Sequence, residues 1–172
     1  MAQDDRLKRL ARHLEALAMK DEALLRQTEE INALRQAAAC ELHKICAGFV
    51  RSVNALLPTP VLELGPDEYS PEVFRDSGVN LFQINARGRV VQIAFQATDQ
   101  LVSTEDFKTP YILQGEVRTY NQEMLERVAV EIHQLYFCLE KDKNHWHYYQ
   151  RRTYRGGVFS SDFLVGVMED LI

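Results

Sequence analysis

Apolar residues in the first 57 positions recur at alternating steps of three and four, which is the spacing of one helical stripe. The series begins Leu7, Leu10, Leu14, Leu17. The strict register then reaches Asp21, Leu24, Thr28, Ile31 and Arg35, where polar residues interrupt the seam. A shift of register restores it through Ile31, Leu34, Ala38, Leu42, Ile45, Phe49, Val53 and Leu56, so a stutter or loosened stretch is expected between Met19 and Thr28. The segment has no proline and a single glycine, Gly48, until Pro58 and Pro60 stop it. Asp4 or Asp5 is placed to cap the start. A helix of about 50 residues would span roughly 75 Å, and its narrow stripe needs a surface outside itself. The first choice is a homodimeric coiled coil, parallel or antiparallel, with Leu7, Leu10, Leu14, Leu17, Leu24, Ile31 and Leu34 at the interface. A break near Lys20-Asp21 would instead give a helical hairpin, and a third option is docking on a helix of a different protein. Residues 38–57 are more broadly apolar, as suits a helix lying on a sheet, so the last third belongs with the core.

Beyond the prolines the pattern changes to period two. Val61–Leu64 reads as a short strand, Gly65-Pro66-Asp67 as a turn, and Ser70-Pro71 as the start of a helical turn through Phe74. The plainest hairpin joins Asn80–Asn85 to Arg89–Gln96 across Ala86-Arg87-Gly88. Leu101–Phe107 is a weaker third strand, and Tyr111–Tyr120 a fourth. Asn121 is read as the cap of a helix with the stripe Met124, Leu125, Val128, Ile132, Leu135, Tyr136, Leu139. The run 135–139 also fits a strand, and local pattern leaves helix and strand open. Trp146–Tyr154 reads as a strand ended by Gly156-Gly157, and Ser160 or Ser161 caps a last helix carrying Phe163, Leu164, Val167, Met168 and Leu171. The expected architecture is α+β: an oligomerising helix over 1–57, then a globular domain over 58–172 with an antiparallel sheet and C-terminal helices.

Composition changes this picture little. The formal net charge of -5 disfavours a general polyanion binder, so nucleic acid is an unlikely partner by charge. Residues 1–57 are nearly neutral, as a mixed-charge coiled coil is, and the acidity lies in 58–172. No apolar run approaches the ~20 residues of a membrane span. Met1-Ala2-Gln3-Asp4-Asp5 carries acid where a secretory leader carries base, and three cysteines without a CxxC pair suit free thiols, so a cytoplasmic protein is expected.

The chemistry-bearing candidates are few. Arg151, Arg152 and Arg155, with Tyr148, Tyr149 and Tyr154, could recognise phosphate or stack on bases. Strand alternation would divide those arginines between two faces. His145 and His147 are two apart and could meet one metal ion, but nothing fixes a third ligand, and no metal or cofactor is assigned. Cys40 and His43 can touch on a helix, without a pocket or oxyanion donor to make them catalytic. Tyr111, Tyr120, Phe95 and Trp146 could line a concave sheet face and hold a small ligand or peptide, or equally form the contact layer for the final helices. Enzyme motifs such as GxSxG, the P-loop and HExxH are missing. The reading is therefore a non-enzymatic interaction or scaffold protein that self-associates through its N-terminal helix. The alternatives are nucleic-acid or nucleotide-anion binding through the arginine run and a small-ligand pocket on the sheet.

Overall fold

The computed structural model describes residues 1–121 and 129–172. It is α+β, with a long N-terminal helix, a seven-stranded antiparallel sheet and a C-terminal helix. The helix α1 runs Ala2–Ala55 without interruption, so neither the hairpin break at Lys20-Asp21 nor a loosened stretch at Met19–Thr28 is present. Asp4 and Asp5 lie inside its first turn, where they still complement the helix dipole, rather than at the cap. Two compact units divide the chain, Met1–Leu34 and Arg35–Ile172.

The strands are β1 Leu62–Gly65, β2 Asn80–Ala86, β3 Arg89–Ala97, β4 Tyr111–Asn121, β5 Ala129–Cys138, β6 His145–Gln150 and β7 Arg155–Val158, followed by α2 Ser161–Leu171. They form a meander in sequence order, every pair antiparallel. The β2–β3 hairpin closes on Arg87-Gly88, both at positive φ, and the Asn85 side chain accepts from the Gly88 N–H at 2.8 Å. A 3-10 turn over Pro71–Val73 follows β1.

Alternation sends Phe82, Ile84, Val91, Ile93, Phe95, Leu113, Val117, Leu135, Phe137 and Trp146 to one buried face. Residues 35–55 of α1 and helix α2 cover that face. Ala38, Ala39, Leu42, Cys46 and Phe49 are buried, and the Trp146 indole donates to the Ala38 carbonyl at 2.8 Å. Tyr148 of β6 stacks on Phe163 of α2, with ring centroids 4.1 Å apart, and Ser160 caps that helix by accepting from the Phe163 N–H. Two side chains fasten the connections. Asn54 accepts from the Val61 and Leu62 N–H groups and donates to the Leu62 carbonyl, tying β1 to the end of α1. Buried Arg35 donates to the carbonyls of Ile112, Thr98, Gln100 and Leu101 and to the Thr98 hydroxyl, at 3.0–3.4 Å.

Three expectations change. The expected strand Leu101–Phe107 is a loop joined to β4 by the single bridge Ser103–Tyr111. Residues 129–138 are a strand rather than the second half of a helix; the part of that expected helix over 122–128 lies outside the described residues. The run Leu135–Cys138 is buried on both faces, because Phe107 of the loop stacks on Tyr136 at 4.9 Å, beside Tyr111 and Cys138. A strand covered on both sides loses its period-two signature. The expected strand Trp146–Tyr154 stops at Gln150, turns over residues 151–154 with Tyr154 at φ 56°, and returns as β7, which contains Gly156 and Gly157 instead of ending at them.

Candidate functional site

In the first unit every residue from 1 to 27 is exposed. Leu7, Leu10, Leu14, Leu17 and Leu24 each keep 53–57% of their surface, and Leu25 keeps 60%. At 100° per residue the five leucines share one stripe, which Ala11, Ala18 and Leu25 widen along one edge. Ile31 is buried within the single chain and Leu34 is half-buried, so the stripe open to another molecule is Leu7–Leu25. The ion pairs Lys8–Asp4 at 2.9 Å and Arg26–Glu22 at 3.9 Å are exposed pairs within the helix and add little stability. No helix among the described residues is long and apolar enough to cross a membrane.

In the second unit the sheet face opposite the core is polar. Gln92, Gln114, Glu116, Arg118 and Gln134 are half-buried there, with Glu116 and Arg118 paired at 2.7 Å. A depression of about 280 Å³ on it is lined by Val79, Gln96, Asp106, Gln114, Gln134 and Tyr136 among others. The four aromatic residues Tyr111, Tyr120, Phe95 and Trp146 do not together line an open surface. Tyr111, Phe95 and Trp146 are each 1% exposed and belong to packed clusters, and Tyr120 is half-buried.

The arginine run does not converge. Arg151 and Arg152 sit in the β6–β7 turn beside a hollow that they share with Glu116 and Glu131. Arg155 lines a groove under α2 with Glu131, Asp162 and Asp170. Each arginine therefore has acidic neighbours, which offset the field a polyanion would need. His145 and His147 lie with ring centroids 5.9 Å apart; the His145 Nδ1 is 3.3 Å from the Lys143 carbonyl, and His147 packs against Phe107 at 4.9 Å. Among the described residues no group of three His, Cys, Asp or Glu is placed to hold a metal ion.

Cys40 and His43 are separated in role. The His43 Nε2 lies 2.7 Å from the Pro66 carbonyl and must carry the proton to donate to it, while the ring stacks on Tyr69. Burial pushes the Cys40 thiol above its ordinary pKa, the opposite of what a nucleophile needs. All three cysteines are free, and burial drives Cys46 and Cys138 up to about 12. His133 is buried between Tyr148 and Phe163; its Nδ1 has no hydrogen-bond partner, and Glu131 stands 3.7 Å from its Nε2. Burial holds its pKa below the ordinary histidine value, outweighing the nearby Glu131 and Asp170, so the contact with Glu131 joins a carboxylate to a neutral ring near pH 7.

The residue that pattern reading passed over is Arg35. It occupies a seam position of the strict register, and an arginine there signals a local polar demand; the structure supplies that demand as four backbone carbonyls. No family model, curated protein or solved structure matches the chain.

Proposed function

We propose that the protein is a non-enzymatic scaffold that forms a homodimer through the N-terminal half of α1, with the sheet unit as the part each copy carries. One observation supports this above the others. Five leucines at coiled-coil spacing stay more than half exposed in a chain whose remaining large apolar residues are mostly packed. Apolar stripes of this regularity are driven toward a partner surface by the hydrophobic effect. The arginines lie among acids and Cys40 is poorly ionised, which favours association over anion binding or catalysis. A reducing, cytoplasmic setting is part of the proposal, supported by three unpaired cysteines.

The test is the mass of the full chain by multi-angle light scattering across a micromolar concentration series. Twice the chain mass of 19.9 kDa is expected. A single-chain mass at every concentration overturns the proposal.

A further inference from the structure

The charges along the exposed helix decide how two copies meet. We infer that the second copy lies antiparallel, pairing Leu7 with Leu24, Leu10 with Asp21 and Leu14 with Leu17 of the other chain; this rests on the proposed self-association. The register is fixed by which part of the helix is available. Residues 1–27 are all exposed, whereas Ile31 and Arg35 are buried in the single chain, and Arg35 is committed to the carbonyls around Thr98 and Ile112. The pairing uses residues 4–27 of both copies and no buried position. Of the five leucines at coiled-coil spacing, it sets all but Leu10 opposite a leucine, Leu10 lying opposite Asp21.

Asp21 separates the two orientations. It occupies the stripe itself, between Leu17 and Leu24. Two parallel copies in register would hold one Asp21 against the other inside an apolar seam, an arrangement of like charges at close range. In the antiparallel pairing the two Asp21 carboxylates are about 16 Å apart along the axis, at 1.5 Å per residue. That exceeds the Debye length of about 8 Å at physiological salt. Each then faces the level of Leu10, where Arg6 and His13 of the other copy flank the stripe. The edge carrying Ala11 and Ala18 also meets itself, Ala11 near Ala18 of the other copy, so small side chains allow the helices to approach on that side.

Cysteine cross-linking in the full chain, on a Cys40→Ser background, tests this. Leu7→Cys and Leu24→Cys proteins, which keep Asp21, are each oxidised alone and after mixing and re-equilibration, with circular dichroism checking that both are helical. A covalent dimer that forms in the mixture and in neither protein alone is expected. Covalent dimers from each protein alone show parallel packing and overturn the inference while leaving the self-association intact. A double-mass species linked in none of the three samples overturns the register. A monomeric mass overturns the self-association itself, and the orientation with it.

Discussion

Replacing Leu14 and Leu17 together by aspartate should split the dimer, and the size of the effect follows from the exposure of the two side chains. Each keeps 56% and 54% of its surface in the single chain, so a partner can still cover about half of what a leucine can bury. Complete burial of a leucine contributes roughly 1.5–3 kcal/mol, which leaves about 0.8–1.6 kcal/mol to be gained at each position on association. A dimer loses four such leucines, about 3–6 kcal/mol, and four carboxylates in the seam add desolvation to that loss. Since 1.4 kcal/mol is tenfold in affinity, the dissociation constant should rise by roughly 100-fold at the least. The assay is sedimentation velocity of the parent and variant over the same concentrations. The control is Ala16→Asp with Ala23→Asp, on the side of the helix away from the stripe, where both residues are exposed. This pair imposes the same charge and a comparable loss of helix propensity, up to about 0.7 kcal/mol per site, without touching the stripe. If the stripe variant keeps the parental dimer affinity, or if the control weakens it as much, the leucines are not the interface.

The sheet unit offers further checks. Arg35→Met should lower unfolding stability in urea by about 1–3 kcal/mol, because the buried Thr98 carbonyl loses the guanidinium, the Ile112 carbonyl keeps only the Thr98 N–H and hydroxyl, and those of Gln100 and Leu101 can recruit water. An unchanged or raised urea midpoint would mean that burying the guanidinium costs as much as its hydrogen bonds return. Gly115→Ala should destabilise by more than about 2 kcal/mol, since a Cβ there would collide with the Ala94 carbonyl and with Phe95; a stability within 0.5 kcal/mol of the parent, on the order of an ordinary surface change, would show that the strands can part at no cost. Burial holds both His133 and His147 below the ordinary histidine value of 6.5, His145 pushing His147 further down. The unfolded chain then binds protons that the folded chain does not, so stability should be complete above that value and fall as the pH drops below it. Urea midpoints measured across that window should flatten in a His133→Gln/His147→Gln variant; an equal slope in the variant would place the acid sensitivity elsewhere.

How far the chain could be read without coordinates depended on whether each element keeps one side wet. The β2–β3 hairpin alternates because Gln83, Gln92 and Gln96 face away from the core, and Arg87-Gly88 supplies the positive φ that its tight turn requires. Helix α2 has a buried stripe and a serine cap, and both were legible. β5 was ambiguous for the opposite reason. Its end is roofed by Phe107, which stacks on Tyr136 from 29 positions earlier in the chain, and no local window contains that contact. The turn after Gln150 was hidden because it is built from Arg151, Arg152, Thr153 and Tyr154, without glycine, asparagine or aspartate; the Thr153 hydroxyl bonding the Gln150 amide at 2.6 Å helps to hold it. The long helix presents both cases within one element. Up to residue 27 its polar surroundings are solvent, and the leucine stripe reads directly from the spacing. Beyond Arg35 the same spacing continues, but its polar residues answer to the fold: Arg35 to the carbonyls of Thr98 and Ile112, His43 to the Pro66 carbonyl, Asn54 to the chain entering β1. A single heptad drawn through both halves therefore joins two different demands. The polar interruptions between Asp21 and Arg35 mark the passage from a stripe open to another chain to one buried within its own chain, which is why the association surface should end before Ile31 rather than run the length of the helix.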